Sequence, residues 1–166
     1  RLMLRKLRKD DAEAIFINWA SDPEVTKYLT WNAHKEISIT SLILNDWLIK
    51  YYNEDKVYRW GIVETSSHEL IGMIDVVKWI DNKFPEIGYV LSKSHWNKGY
   101  MSEACKAVIN FLNKEGYNKI YIRAMEENIA SNKVILKCGG KLIYQSNEEF
   151  PKENRTVVIN NYLIEK

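Results

Sequence analysis

The chain has 166 residues, with 24 basic against 22 acidic side chains and a formal charge of +2. So even a balance makes no electrostatic case for nucleic acid, and the length suits one domain with a core that needs no disulfide or metal staple. Two cysteines and three histidines show no metal-ligand or Cys-x-x-Cys spacing, so no metal site is expected. Cys105 and Cys138 read as reduced thiols buried in helices, which suits a cytoplasmic location. No apolar run approaches ~18 residues, so neither a leader nor a membrane span is expected.

In chain order, Leu2 to Leu7 reads as a short strand, with Arg5 to Lys9 as its solvated basic end. Asp10 or Asp11 then caps a helix whose apolar positions Ala12, Ile15, Phe16 and Trp19 fall at helical spacing. Asp22-Pro23-Glu24 is a second start signal, a capping carboxylate followed by proline at the first helical position, for a short helix ending near Leu29. A third helix is expected from about Ser38 to Tyr52, with Leu42, Ile43, Trp47, Leu48 and Tyr51 as its apolar stripe. The aromatics here serve either the core or, with the loop Thr30 to Ile37, the wall of a cleft.

From Val57 the period changes to two. Val57–Glu64, Leu70–Ile80 and Phe84–Leu91 read as strands of an antiparallel meander, split by Ser66-Ser67-His68 and Asp81-Asn82-Lys83. A helix carrying Ala104, Val108, Phe111 and Leu112 stops at Gly116. A strand (Lys119–Met125), a helix between Asn128 and Gly139-Gly140, and a strand (Lys141–Gln145) follow. A polar loop (Ser146–Arg155) leads to a last strand (Thr156–Ile164), exposed and able to pair or not, which leaves monomer and homodimer open. The expected class is α+β in a single domain, residues 1–166, with a mixed, mostly antiparallel sheet of about seven strands flanked by four to five helices.

Between the third meander strand and the next helix lies Ser94-His95-Trp96-Asn97-Lys98-Gly99-Tyr100-Met101-Ser102-Glu103-Ala104. A loop with a lysine and a glycine at a helix start can hold an anion, because first-turn N–H groups have no partner within the helix and the dipole adds positive charge. A plain helix-capping turn is the alternative. Glu86-Ile87-Gly88-Tyr89, this loop, Asn128-Ile129-Ala130-Ser131 and Lys137-Cys138-Gly139 together resemble the GNAT acetyltransferase superfamily. Within it the chain is most similar to the ribosomal-protein N-terminal acetyltransferase (RimJ/RimL-like) branch. The resemblance runs over the whole chain. It departs at Trp96 and Met101, which stand at the first and last positions of the pattern Gln/Arg-x-x-Gly-x-Gly/Ala. It departs again at Ile135, where many members carry a tyrosine that protonates the leaving thiolate, and at Gly140, where Phe is usual and glycine should loosen the packing.

The resemblance implies an amine as acceptor that attacks the thioester directly in a ternary complex, and acetyl-CoA as donor. Its pyrophosphate would take N–H groups from Asn97, Lys98, Gly99, Tyr100, Met101 and Ser102, beside Trp96, with Lys98 adding charge. The pantetheine arm would pair with a bulged strand at Tyr89, Val90 and Leu91, a backbone N–H near Val90 polarising the thioester carbonyl. Asn128 would bond the pantetheine or a catalytic water. Glu86 is the first choice of base, with a cross-strand ion pair as its structural alternative; Glu103 is second and has a ready role as a dipole partner. Ser131 protonates the thiolate or else serves the helix start. A protein N-terminal α-amine is the leading acceptor. A small-molecule acceptor (polyamine, amino acid or aminoglycoside) would suit an acidic cleft drawn from Asp75, Asp81, Glu148, Glu149 and Glu153. A non-catalytic acyl-CoA-binding protein is a third reading.

Overall fold

The computed structural model describes residues 1–54 and 56–166. Its strands are β1 (Leu2–Arg5), β2 (Arg59–Glu64), β3 (Leu70–Ile80), β4 (Phe84–Leu91), β5 (Lys119–Met125), β6 (Lys141–Phe150) and β7 (Arg155–Glu165). Its α-helices are α1 (Ala12–Ile15), α2 (Pro23–Thr26), α3 (Ile37–Asn53), α4 (Tyr100–Lys114) and α5 (Ile129–Lys137). The strands form one sheet in the order β1-β2-β3-β4-β5-β7-β6. The β4–β5 pair is parallel, and β1–β2, β2–β3, β5–β7 and β6–β7 are antiparallel. This is the expected α+β architecture. The chain falls into two compact units, Arg1–Asp75 with Tyr89–Tyr100, and Val76–Gly88 with Met101–Lys166, so that β3 and β4 run through both.

The first unit packs Leu7, Ile15, Trp19, Ala20, Val25, Leu44, Val63, Leu70 and Val90 into one core. Burial of such side chains, at about 25 cal/mol per Å² of apolar surface, is its main stabilising term. Asp11 does not cap α1 as expected. Its carboxylate accepts two bonds from the Arg5 guanidinium, at 2.8 and 2.7 Å, and one from the Arg8 N–H at 2.7 Å, tying the end of β1 to the turn after it. After Ile15 the helix widens into a π turn, Phe16–Ala20, that sets Trp19 in the core. The Ser21 N–H and hydroxyl both reach back to the Phe16 carbonyl there. The Asp22 carboxylate caps α2 as expected, accepting from the Glu24 N–H at 2.8 Å, but α2 stops at Thr26 rather than near Leu29.

The stripe of α3 differs from the expected one at its start. Leu42 is 73% exposed, whereas Thr40 and Leu44 are buried, and Trp47, Leu48 and Tyr51 continue that face into the core. The face is one turn-fraction away from the one that hydrophobicity alone suggests, and the buried Thr40 hydroxyl is satisfied by the His34 ring at 2.7 Å.

In the second unit Ala104, Val108 and Leu112 of α4 are buried as expected, joined by Met101, Cys105 and Ile109, while Phe111 is 39% exposed. The β3–β4 turn places Asp81 and Asn82 in the left-handed region, at φ 51° and 53°, the pair that a twisted hairpin requires. β6 extends to Phe150, so most of the expected loop Ser146–Arg155 is strand, closed by the turn Pro151–Glu153 and a left-handed Asn154. β7 is not an exposed edge, for it lies between β5 and β6, and β6 is the terminal strand. Cys138 is half-buried and follows α5 as its cap, rather than sitting inside the helix. Both cysteines are free thiols; a hydrogen bond with Cys138, then burial, pushes the Cys105 thiol well up, and the Cys138 thiol donates to the Ser102 carbonyl at 3.7 Å. No helix among the described residues is long and apolar enough to cross a membrane.

Candidate active site

The anion loop follows directly from β4. The Ser92 N–H closes the strand on the Ile71 carbonyl at 2.7 Å. The turn Lys93–His95 follows, held by a chain of hydrogen bonds from Ser92 Oγ to Ser94 Oγ (2.9 Å) and from Ser94 Oγ to His95 Nδ1 (2.8 Å). Trp96 uses both of its N–H groups inside the chain, the indole on the Leu91 carbonyl at 2.8 Å and the backbone on the Lys93 carbonyl at 3.2 Å. It braces the loop and has no N–H to offer an anion.

Asn97 and Gly99 both take left-handed backbone, at φ 60° and 80°, with Lys98 between them, and α4 begins at Tyr100. Left-handed residues set into a turn aim successive N–H groups to one side, a concavity that binds anions. The first-turn N–H groups of α4 add to it. A Cβ at Gly99 would have room, its nearest neighbour being Arg1 Nη2 at 3.7 Å, so the backbone angle is what demands glycine within the chain. Arg1 donates to the Lys98 carbonyl at 3.2 Å and lies 4.3 Å over the Tyr100 ring, adding a second cation to the rim. Tyr100 donates its hydroxyl to Glu64. These features fit a phosphate group.

Upstream, Val90 and Leu91 are buried and Tyr89 is half-buried. Their backbone passes so close to β3 that a Cβ on Gly72 would lie 2.4 Å from the Val90 carbonyl oxygen and 3.2 Å from the Leu91 Cα.

In the second unit, Glu86 pairs in register with Tyr121 on the parallel strand β5. Its side chain is only 12% exposed, with the Arg123 Nε 3.6 Å from Oε1. Burial raises its carboxyl above the usual range, against the pull of Arg123 and Lys78. Glu86 therefore stands in the cross-strand ion pair given as its structural alternative. Arg123 in turn makes a forked pair with Glu148, at 2.8 and 3.0 Å.

Asn128 caps α5, its side-chain oxygen accepting from the Ser131 N–H at 3.2 Å. The cap uses the backbone of Ser131 and not its hydroxyl. Next to it, buried Asn132 donates to the carbonyls of Met125 (2.9 Å) and Asn128 (2.8 Å), and accepts from Asn160 (2.9 Å) and Tyr162 (2.6 Å). Asn132 fastens the end of β5 to the start of α5. Neither Asn132 nor Arg123 stands out in the sequence. The one signal for Asn132 is its place four residues after the cap, on the face of Asn128; for Arg123 nothing short of strand register serves. Glu103 sits in the first turn of α4, where a dipole partner belongs.

Ile135, at the position of the absent tyrosine, is fully buried. A Cβ on Gly140 would lie 2.5 Å from Ile135 Cγ2, so glycine tightens this corner and does not loosen it. Four of the five acids considered for an acidic cleft already have partners. Asp75 is buried on Arg59 (2.9 Å), Glu148 holds Arg123, Glu149 accepts from Thr156 (3.0 Å), and Glu153 pairs with Arg155 (2.5 Å). In the loop before α3, the Trp31 and His34 rings lie 5.1 Å apart and the His34 N–H donates to the Ala20 carbonyl. Among the described residues no cluster of three or more His, Cys, Asp or Glu could hold a metal ion.

The acetyltransferase (GNAT) domain model matches residues 1–141. The chain is 33% identical over 141 residues to the uncharacterised N-acetyltransferase YoaA of Bacillus subtilis, covering 84% of this chain and 78% of the relative. A solved GNAT-family acetyltransferase from Bacillus anthracis superposes with a TM-score of 0.85 at 25% identity, over 99% of this chain and 95% of that one. The microcin C7 self-immunity acetyltransferase MccE, solved with acetyl-CoA and AMP, shares the fold with a TM-score of 0.88 at 21% identity, over 99% and 92%. With a model match across most of its length and a relative this similar, the chain belongs to the GNAT acetyltransferase family, the acetyl-CoA-dependent N-acetyltransferases.

Proposed function

We propose that residues 1–166 act as one catalytic domain, of the RimJ/RimL-like branch, that acetylates a protein N-terminal α-amine. The observation that carries this reading is Glu86, a nearly buried carboxylate whose partner Arg123 stands 3.6 Å away, beyond hydrogen-bond length. An α-amine with a pKa near ~7.7–8.0 is about a tenth neutral at pH 7, whereas a lysine amine near ~10.4 is neutral in only ~1 of 2,500 molecules. A single partly neutralised carboxylate, acting directly or through a water, suffices for the first and is a poor base for the second.

Acetyl-CoA supplies the acetyl thioester. Asn97 to Ser102 hold its pyrophosphate through backbone N–H groups, with Lys98 adding charge, and Tyr89 to Leu91 receive the pantetheine arm. Asn128, through the amide nitrogen that its cap leaves over, orients the donor or a water. Glu86 takes a proton from the attacking amine as the new C–N bond forms. Ser131 passes one to the sulfur as the C–S bond breaks, its hydroxyl regaining a proton from solvent water, to which Glu86 releases the one it took. The family model spans residues of both units, which supports treating them as one domain.

The pairing of Asp75, Glu148 and Glu153 with arginines argues against a polycation as acceptor, since these three carboxylates are already neutralised within the chain. The test is CoA release from acetyl-CoA against a panel of N-terminal peptides, polyamines and amino acids. Peptide turnover with indifference to spermidine is the expected result. Polyamine turnover without peptide turnover would overturn the acceptor, and tight acetyl-CoA binding with no turnover on any amine would mark a non-catalytic binding protein.

A further inference from the structure

We propose that Arg123 is a positioning residue for Glu86, and that Glu148 holds its guanidinium fork aside so that Glu86 stays available as a base. The proposal rests on the reading of Glu86 given above. Glu86, Arg123 and Glu148 come from β4, β5 and β6, and Glu148 lies opposite Val157 of β7, four residues from the Asn161 that Arg123 faces and on the same side of the sheet. Glu86 faces Tyr121, two residues before Arg123 and therefore on its face of the sheet. Arg123 lies opposite Asn161 of β7.

A guanidinium can meet a carboxylate bidentately through its Nη1/Nη2 end or through its Nε side. Here the fork, Nη1 and Nη2, is spent on Glu148 at 2.8 and 3.0 Å, and only Nε faces Glu86, at 3.6 Å. Glu148 is itself fixed. Ser146 donates to it at 3.2 Å, and Asn161 donates to Ser146 at 3.1 Å. A fork seated on Glu86 instead would stabilise its ionised form strongly and remove its lone pairs from an incoming amine. Nε at 3.6 Å gives charge without that capture. The charged groups acting on Glu86 from neighbouring strands are Arg123 on β5, Lys78 on β3 and Glu148 on β6.

Replacing Arg123 with Gln removes the nearest positive charge, so Glu86 holds its proton to higher pH. Replacing Glu148 with Gln removes a negative charge and frees the fork, so Glu86 loses its proton at lower pH and becomes a weaker base. Two readouts are taken on wild type, Arg123→Gln, Arg123→Lys and Glu148→Gln. One is the ¹³C-carboxyl titration of Glu86, assigned with Glu86→Gln; the other is kcat/KM against pH with a free-amino-terminal peptide as acceptor.

The expected result is an acid limb moved up in Arg123→Gln, with about threefold loss at pH 6 and little at pH 9, partly rescued by Lys. In Glu148→Gln the limb moves down and the plateau falls. An unmoved Glu86 midpoint in both Gln variants overturns the proposal, and Glu148→Gln decides alone where Arg123→Gln does not fold. If the midpoints move while Glu86→Gln keeps the wild-type pH profile, the base assignment fails and the positioning stands. If Glu86→Gln changes the limb, leaving only the amine's own ionisation, and the midpoints stay put, the positioning fails alone.

Discussion

The Tyr100 hydroxyl donates to Glu64, so that the first residue of the phosphate-side helix is fastened to the end of β2. Glu64 also accepts from Ser67 at 2.8 Å and stands 4.0 Å from His95 Nε2. The bond with Tyr100, then that with Ser67, hold its carboxyl below the usual range. A carboxyl lowered on folding stabilises the fold above its unfolded pKa, near ~4.3, and that support fades as pH falls through the folded value. Tyr100→Phe should therefore lower Tm at pH 7 and lose its difference from wild type on acidification toward pH 3. Thermal melts across that range check it. A difference independent of pH would mean that the ring, and not the bond, matters.

Gly99 has room for a methyl group but not the backbone angle for one. Gly99→Ala should weaken acetyl-CoA by about fivefold to tenfold, from roughly 1 kcal/mol of left-handed strain. Gly99→Glu should abolish binding altogether, through bulk and like charge against the phosphates. Asn97→Gly, which keeps left-handed backbone accessible, should bind as wild type does. Isothermal titration with acetyl-CoA separates the three. Equal affinity in all of them would move the phosphate site elsewhere.

Much of the fold is legible in the residues alone, and the reasons are local. Asp81-Asn82 can adopt the left-handed pair, so β3 and β4 end where a reader of turns would put them. Asn128 and the first turn of α4 are sequence-local devices too. What the residues hide is decided between strands or by the core. Leu42 looks like a stripe residue until the first unit chooses the Thr40–Leu44 face. β6 runs through Glu148 and Glu149 because an edge strand exposes polar side chains without cost, so its composition reads as a loop. The Arg123 pairing joins residues 37 and 25 positions away, and Asn132 reads as a surface amide until Asn160 and Tyr162 converge on it.

Gly72 offers a sharp packing test. A methyl group there would sit 2.4 Å from a backbone oxygen, which cannot rotate away as a side chain would. Gly72→Ala should cost about 1–3 kcal/mol. It should also raise KM for acetyl-CoA, by shifting the Val90–Leu91 backbone. A paired measurement of Tm and KM is required, because a drop in Tm with KM unchanged would remove Val90 and Leu91 from the donor site.

Ser131 and Asn128 separate catalysis from capping. The cap is made by the Ser131 N–H and the Asn128 side chain, at 3.2 Å, so the hydroxyl is dispensable to it. Ser131→Ala keeps that N–H, and with it the cap. If the hydroxyl protonates the departing sulfur, kcat should fall about tenfold or more while KM for acetyl-CoA holds, since an interaction made only in the transition state has been removed. Asn128→Ala behaves differently, losing about 1 kcal/mol with its cap and weakening donor binding as well. The outcome that sinks the role of Ser131 is full activity in Ser131→Ala. Water would then be the proton source, a task within reach because a thiolate is a weakly basic leaving group.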